Sequence, residues 1–141
     1  MFDMEIVFSG GKKVDALYNG FTIRTDQSPL GGGEGTAPEP FDLFFASMGT
    51  CAGIYVLSFC QHHDLPSEGI RLFQTVDRDP VSKMFSIVRI DIRVPETFPE
   101  KYHKALIRSA EQCTVKRHIV QKLPEFEITL TTDTETLQEQ H

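Results

Sequence analysis

Apolar and polar residues alternate in short runs at the start of the chain, close into one long apolar block, and alternate again beyond it. Met4–Phe8 and Val14–Tyr18 are apolar-rich runs of strand length, and Asn19-Gly20 is a two-residue hairpin signal that makes Phe21–Arg24 the returning strand. From Ser28 to Pro40 the chain reads as a glycine-rich loop stiffened by prolines. Pro40 suits a first helical position, where its missing N–H costs nothing. The block Phe41–His63 is long enough for roughly five or six helical turns. It is apolar nearly all round, which predicts a central buried helix, and Pro66 prevents its continuation.

Two strands are expected next. Ile70–Arg78 is a mixed run, and in Phe85–Val94 the apolar Val88, Ile90, Ile92 and Val94 alternate with Arg89, Asp91 and Arg93, the pattern of a strand with one wet face. Asp77-Arg78-Asp79-Pro80 supplies the turn of a hairpin. Beyond Pro95–Pro99, Tyr102, Leu106, Ser109 and Cys113 recur at helical spacing, which places Cys113 on the inward face of a second helix. Leu123-Pro124 ends that region, Phe126, Ile128 and Leu130 alternate as a last strand, and Thr131–His141 reads as a frayed polar tail. The order βββ-α-ββ-α-β predicts an α+β domain over residues 1–130 followed by the tail 131–141, with no internal repeat or linker.

Composition narrows the partners. With 40% hydrophobic and 24% charged residues the chain is globular, and its net charge of −6 offers no basic stripe for nucleic acid. The N-terminus lacks the basic and apolar regions of a signal peptide. Asp42, Ser47, Gly49 and Gly53 interrupt the best candidate for a membrane span, so a cytoplasmic protein without membrane contact is expected. Three cysteines, an odd number, sit badly with a structural disulfide framework.

Those cysteines are the candidate chemistry. Cys51 and Cys60 are nine residues apart on one predicted helix, about 180° around its axis, so they cannot act together within one chain. Cys60 is expected to be structural. Cys51 and Cys113 can face one space between two helices, either as a redox pair or as two inert core thiols. Lys116 and Arg117 would lie on the Cys113 side of its helix. Zinc is disfavoured because no Cys-x-x-Cys pair exists and Cys60 with His62 is a poor helical spacing for one metal. Gly31–Gly35 lacks the Gly-Lys-Ser/Thr ending of a phosphate loop, and no serine sits in a Gly-x-Ser-x-Gly turn. No metal or cofactor is expected.

The stretch Gly35-Thr36-Ala37-Pro38-Glu39-Pro40-Phe41-Asp42-Leu43-Phe44-Phe45-Ala46-Ser47-Met48-Gly49-Thr50-Cys51, with the later Glu111-Gln112-Cys113-Thr114-Val115, resembles the OsmC/Ohr superfamily of peroxide-handling proteins. The resemblance implies an intertwined homodimer with active sites at the subunit interface and the long helices packed centrally. It implies that Cys51 is the peroxidatic thiolate, and that Cys113 resolves it as a disulfide reduced by an external dithiol. Organic hydroperoxides are the implied substrates. Two positions mark a divergent branch. Thr114 stands where the well-studied branches have a proline after the second cysteine, and a threonine would let the preceding helix run on. Phe41 stands where they carry a glutamate paired with an activating N-terminal arginine, and Arg24, the only arginine ahead of Cys51, is the expected activator. The alternative kept open is a non-catalytic OsmC-like protein that binds a small ligand or senses redox state.

Overall fold

The order of local signals along the chain becomes two small antiparallel sheets and three helices in a computed structural model that describes residues 3–132. Strands β1 (Glu5–Gly10), β2 (Lys13–Tyr18) and β3 (Phe21–Ile23) form a meander in that order. Asn19 and Gly20 turn β2 into β3 with positive φ at both residues (48° and 83°), which pairs Tyr18 with Phe21 as the hairpin signal requires. Helix α1 (Pro40–His62) follows, then the hairpin β4 (Arg71–Arg78) and β5 (Phe85–Arg93), and finally the short helices α2 (His103–Ala110) and α3 (Thr114–Val120).

Pro40 opens α1, with Glu39 as its N-cap; the Glu39 N–H donates to Asp42 Oδ2 at 2.9 Å, closing the first turn. At the other end the Leu65 N–H returns to the Cys60 carbonyl at 2.8 Å, so the helix is closed before Pro66. Met48, Ala52, Val56 and Cys60 recur every fourth residue and are the buried residues of α1. Val56 and Cys60 meet Phe98 and Leu106 in the core, and Phe59, Ile70, Leu72 and Ile92 pack around them. At the opposite end Phe41 and Phe45 lie 5.0 and 4.6 Å from the Phe85 ring, fixing the start of α1 on β5.

Three expectations change. Within one chain α1 is buried along a single stripe and not all round: Phe41, Phe44 and Ile54 are exposed, because a two-stranded sheet and two short helices cover only one side of it. Helix α1 is also long and apolar enough, by length and composition, to cross a membrane (mean hydropathy 1.7), despite its interruptions; in this fold it packs against α2, α3 and β4. The last strand does not form. Phe126, Ile128 and Leu130 are 85%, 94% and 93% exposed and lie in irregular chain, since alternation supplies a strand's faces but not the neighbouring edge it must bond. The observed order is βββ-α-ββ-α-α. The expected frayed tail lies, from residue 133 onward, outside the described residues.

Candidate active site

Cys51 lies on α1 one residue before Ala52 of the buried stripe, which turns its side chain to the flank of the helix that α3 meets. The thiol is half-buried, whereas Cys113 and Cys60 are buried. Cys113 is the N-cap of α3, with an extended ψ of 119°, and not a residue of a continuing helix. The predicted helix breaks at Glu111-Gln112: the Gln112 and Cys113 N–H groups reach back only three residues, to Ser109 and Ala110. Cys113 Sγ then accepts the Lys116 N–H at 3.4 Å, as a serine would in capping a helix. Thr114 therefore starts a new helix, contrary to the expectation that it prolongs the old one.

This break creates the site. Burial pushes the Cys51 thiol up, but the neighbouring Val115 N–H, Cys113 thiol and Thr114 N–H favour its thiolate, and together they hold it below the ordinary thiol value. Cys113 moves the other way, raised by burial and by the neighbouring Cys51, against the opposing Lys116 N–H, and its S–H donates to the Met48 carbonyl at 3.8 Å. The arrangement favours one thiolate, on Cys51, with a second thiol adjacent. The three cysteines are free thiols. Cys60, wholly buried among apolar neighbours, is raised by burial alone.

Among the described residues, no cation is among the groups that act on Cys51. The Lys116 ammonium turns to the Glu111 carbonyl at 3.5 Å, and His118 Nδ1–H donates to the Thr114 carbonyl at 2.8 Å. Arg24 is exposed just past β3, in a hollow with Ser9, Lys13, Asp15, Thr25 and Thr36. So the fold of one chain brings Cys51 and Cys113 together and leaves Arg24 elsewhere. Glu39 and Asp42, the acids nearest the position of the family's glutamate, are occupied at the helix cap, and Glu39 Oε1 also accepts the Ser28 N–H at 3.0 Å. Among the described residues no group of three His, Cys, Asp or Glu side chains could hold a metal ion.

An apolar hollow of about 510 Å³ lies against the start of α3, lined by Phe44, Thr114, Val115, Ile119, Leu123 and Phe126. Thr114 and Val115 thus belong both to the surroundings of the Cys51 sulfur and to the wall of the hollow.

Sequence reasoning missed two parts of this site. The donors on Cys51 are largely backbone groups, which carry no side-chain signature. The other is Asp26, 1% exposed, whose carboxylate accepts the Gln27 N–H (2.8 Å), the Thr36 N–H (3.1 Å) and the Thr36 hydroxyl (2.6 Å). The Thr36 hydroxyl and N–H, followed by the Gln27 and Glu34 N–H groups, hold Asp26 down at about 2. It fastens the glycine-rich loop that leads into α1. A Cβ on Gly33 would lie 2.1 Å from the Gln27 carbonyl oxygen, so glycine is required where this loop closes. An acid directly before a glycine-rich loop was the available signal.

The comparisons agree on the lineage. The fold matches an osmotic stress and detoxification response protein of Psychrobacter arcticus 273-4 at a TM-score of 0.72 and 21% identity, over 86% of this chain and 90% of that one. It matches an OsmC-like protein of Mycoplasma pneumoniae at 0.67 and 13%, over 86% and 88%. An organic hydroperoxide resistance protein of Legionella pneumophila matches at 0.57 and 18%, over 86% and 92%. No curated protein sequence matches the chain. The model of the OsmC-like proteins matches residues 32–129, which span the loop, α1, the β4–β5 hairpin and both cysteine-bearing segments. With the fold and the sequence model in agreement, the chain belongs to the OsmC-like family.

Proposed function

We propose that this protein is a thiol-dependent reductase of organic hydroperoxides, with Cys51 as nucleophile and Cys113 as resolving thiol. One observation carries the reading: the fold sets the Cys113 thiol and the first N–H groups of α3 beside the half-buried Cys51 sulfur, which favours its thiolate next to a second thiol. The thiolate attacks the distal peroxide oxygen, the O–O bond breaks, and the alkoxide takes a proton and leaves as the alcohol. Cys51 is now a sulfenic acid. Cys113 loses its proton and attacks the Cys51 sulfur, and hydroxide departs with that proton as water, leaving a Cys51–Cys113 disulfide. An external dithiol returns two electrons and two protons. The apolar hollow beside Thr114 and Val115 suits the organic part of the peroxide.

A homodimer belongs to the same reading. The exposed Phe41, Phe44 and Ile54 of α1, with Phe8 and Phe21 of the meander, leave more apolar surface open than a single chain covers, and a second copy would bury it. Arg24, expected as the activator, would then act on Cys51 from the neighbouring subunit. The reading places the protein in the cytoplasm, away from membranes and nucleic acid.

The test is consumption of cumene hydroperoxide with dithiothreitol. Cys51→Ser is expected to abolish it. Cys113→Ser is expected to leave a sulfenic acid that dimedone captures, with no intramolecular disulfide. Unchanged turnover in Cys51→Ser overturns the reading. The second reading, a small-ligand-binding or redox-sensing protein, is favoured by the preformed apolar hollow; it predicts ligand binding or slow disulfide formation without multiple turnovers.

A further inference from the structure

We propose that Tyr55 is a positioning residue for Cys51, acting through the Thr114 hydroxyl to aim the first N–H groups of α3 at the sulfur. Tyr55 follows Cys51 by one helical turn and so lies on the same face of α1. Its hydroxyl is 2.9 Å from Thr114 Oγ1, a contact across 59 residues of chain. The backbone N–H of the same Thr114 is one of the groups beside Cys51 that favour its thiolate, and Thr114 directly follows Cys113, the N-cap of α3. The Tyr55 carbonyl also accepts the Ser109 hydroxyl at 3.2 Å. One turn of α1 therefore holds the chain on both sides of the break at Glu111–Cys113: Ser109 before it and Thr114 after it.

This geometry answers a difficulty created by Thr114 itself. A residue at the first position of a helix must hold its φ near the helical value if its N–H is to keep a fixed direction. Proline does this through its ring, and threonine has no ring. With only seven residues, α3 has little helical cooperativity to hold its own first turn. A side-chain hydrogen bond to a rigid neighbouring helix does the same work from outside. Tyrosine suits this because its long, rigid side chain carries a hydroxyl from α1 across to the partner. The other described tyrosine of the helical layer, Tyr102, is packed against Phe59 and His63 instead.

The proposal takes Cys51 as the reactive thiol but does not depend on peroxide being what it attacks, so its readout is alkylation and not turnover. In the full-length chain, the pH dependence of Cys51 modification by iodoacetamide is followed by peptide mass spectrometry. Tyr55→Phe is expected to raise the midpoint and to slow modification at pH 7 by about two- to tenfold, the effect of one neutral hydrogen bond. Thr114→Val is expected to do the same, Thr114→Ser to behave as the parent, and Tyr55→Phe combined with Thr114→Val to lose no more than either alone. Tyr55→Phe is expected to be silent in a Thr114→Pro background. Cys60 labelling should stay at the parent rate throughout, which separates a local effect from a loosened fold. An unchanged midpoint in Tyr55→Phe, or losses that add in the double variant, overturns the proposal. If Tyr55→Phe does not fold, Thr114→Val against Thr114→Ser decides the matter, and equal midpoints overturn it.

Discussion

The two halves of α1 carry the same side chain in opposite environments. Cys51, in the first half, is partly open to solvent and faces N–H groups and a thiol from across the cleft that favour its thiolate. Cys60, nine residues further on, is wholly buried with Val56, Phe98 and Leu106, and burial raises its pKa with nothing to oppose it. Both sulfurs lose water, so burial alone does not make a reactive thiol. The difference is the break between α2 and α3, which delivers unpaired N–H groups to one half of α1, while the intact hydrophobic packing of α2 and Phe98 seals the other. One helix thereby serves as the backbone of the core and as the platform of the site.

The sharpest way to break this contrast is to exchange the thiols one at a time. Cys51→Ser should lower hydroperoxide turnover by at least about a thousandfold, since removal of a nucleophile is among the most damaging substitutions an enzyme can suffer. Cys60→Ser should leave turnover per folded molecule unchanged while costing about 1–3 kcal/mol of stability, because it buries a hydroxyl among apolar groups; urea unfolding measures the loss. If Cys60→Ser lowers turnover instead, the separation of the two halves is wrong.

A gentler probe is thiol modification against pH in the unaltered protein. Cys51 should react with a midpoint below the ordinary thiol value, and Cys60 only above it and only as the core opens. The smallest effect expected is on the loop ahead of α1. Asp26, held at about 2 against an ordinary 3.8, contributes stability that is present above pH 4 and lost as pH falls toward 2. Asp26→Asn should flatten that acid limb of a stability profile and increase hydrogen exchange in the Thr36 amide, with little change in the core around Cys60. Gly33→Ala should disturb the same loop by forcing the Gln27 carbonyl away.

Much of the fold was legible because its signals are local. The Asn19-Gly20 turn, Pro40 at the first helical position, the stop before Pro66 and the alternation of Phe85–Val94 each act within a few residues, and each appears close to where it was expected. The inward placement of Cys113 also followed from its spacing with Leu106, and both are buried. What periodicity could not reveal was that the helix breaks just before it. The break is marked by a thiol acting as cap for the Lys116 N–H, a role that apolar periodicity does not signal, and by Tyr55 meeting Thr114, a contact that exists only after α1 and α3 are packed. Similarly, alternation at Phe126, Ile128 and Leu130 described a strand's faces, but no edge of the chain's own sheets pairs with it.

The sequence by itself determined the family, through the motifs around Cys51 and Cys113, and also the long apolar helix and the phase relation that sets Cys60 apart from Cys51, which rest on composition and on the 3.6-residue repeat. Only the tertiary structure decided which groups of the same chain reach Cys51, that these are the neutral Val115 and Thr114 N–H groups and the Cys113 thiol, and that a threonine can open α3. The reason is physical: a thiol's acidity is set by the few groups within hydrogen-bonding distance, and those groups come together only when distant segments fold against one another.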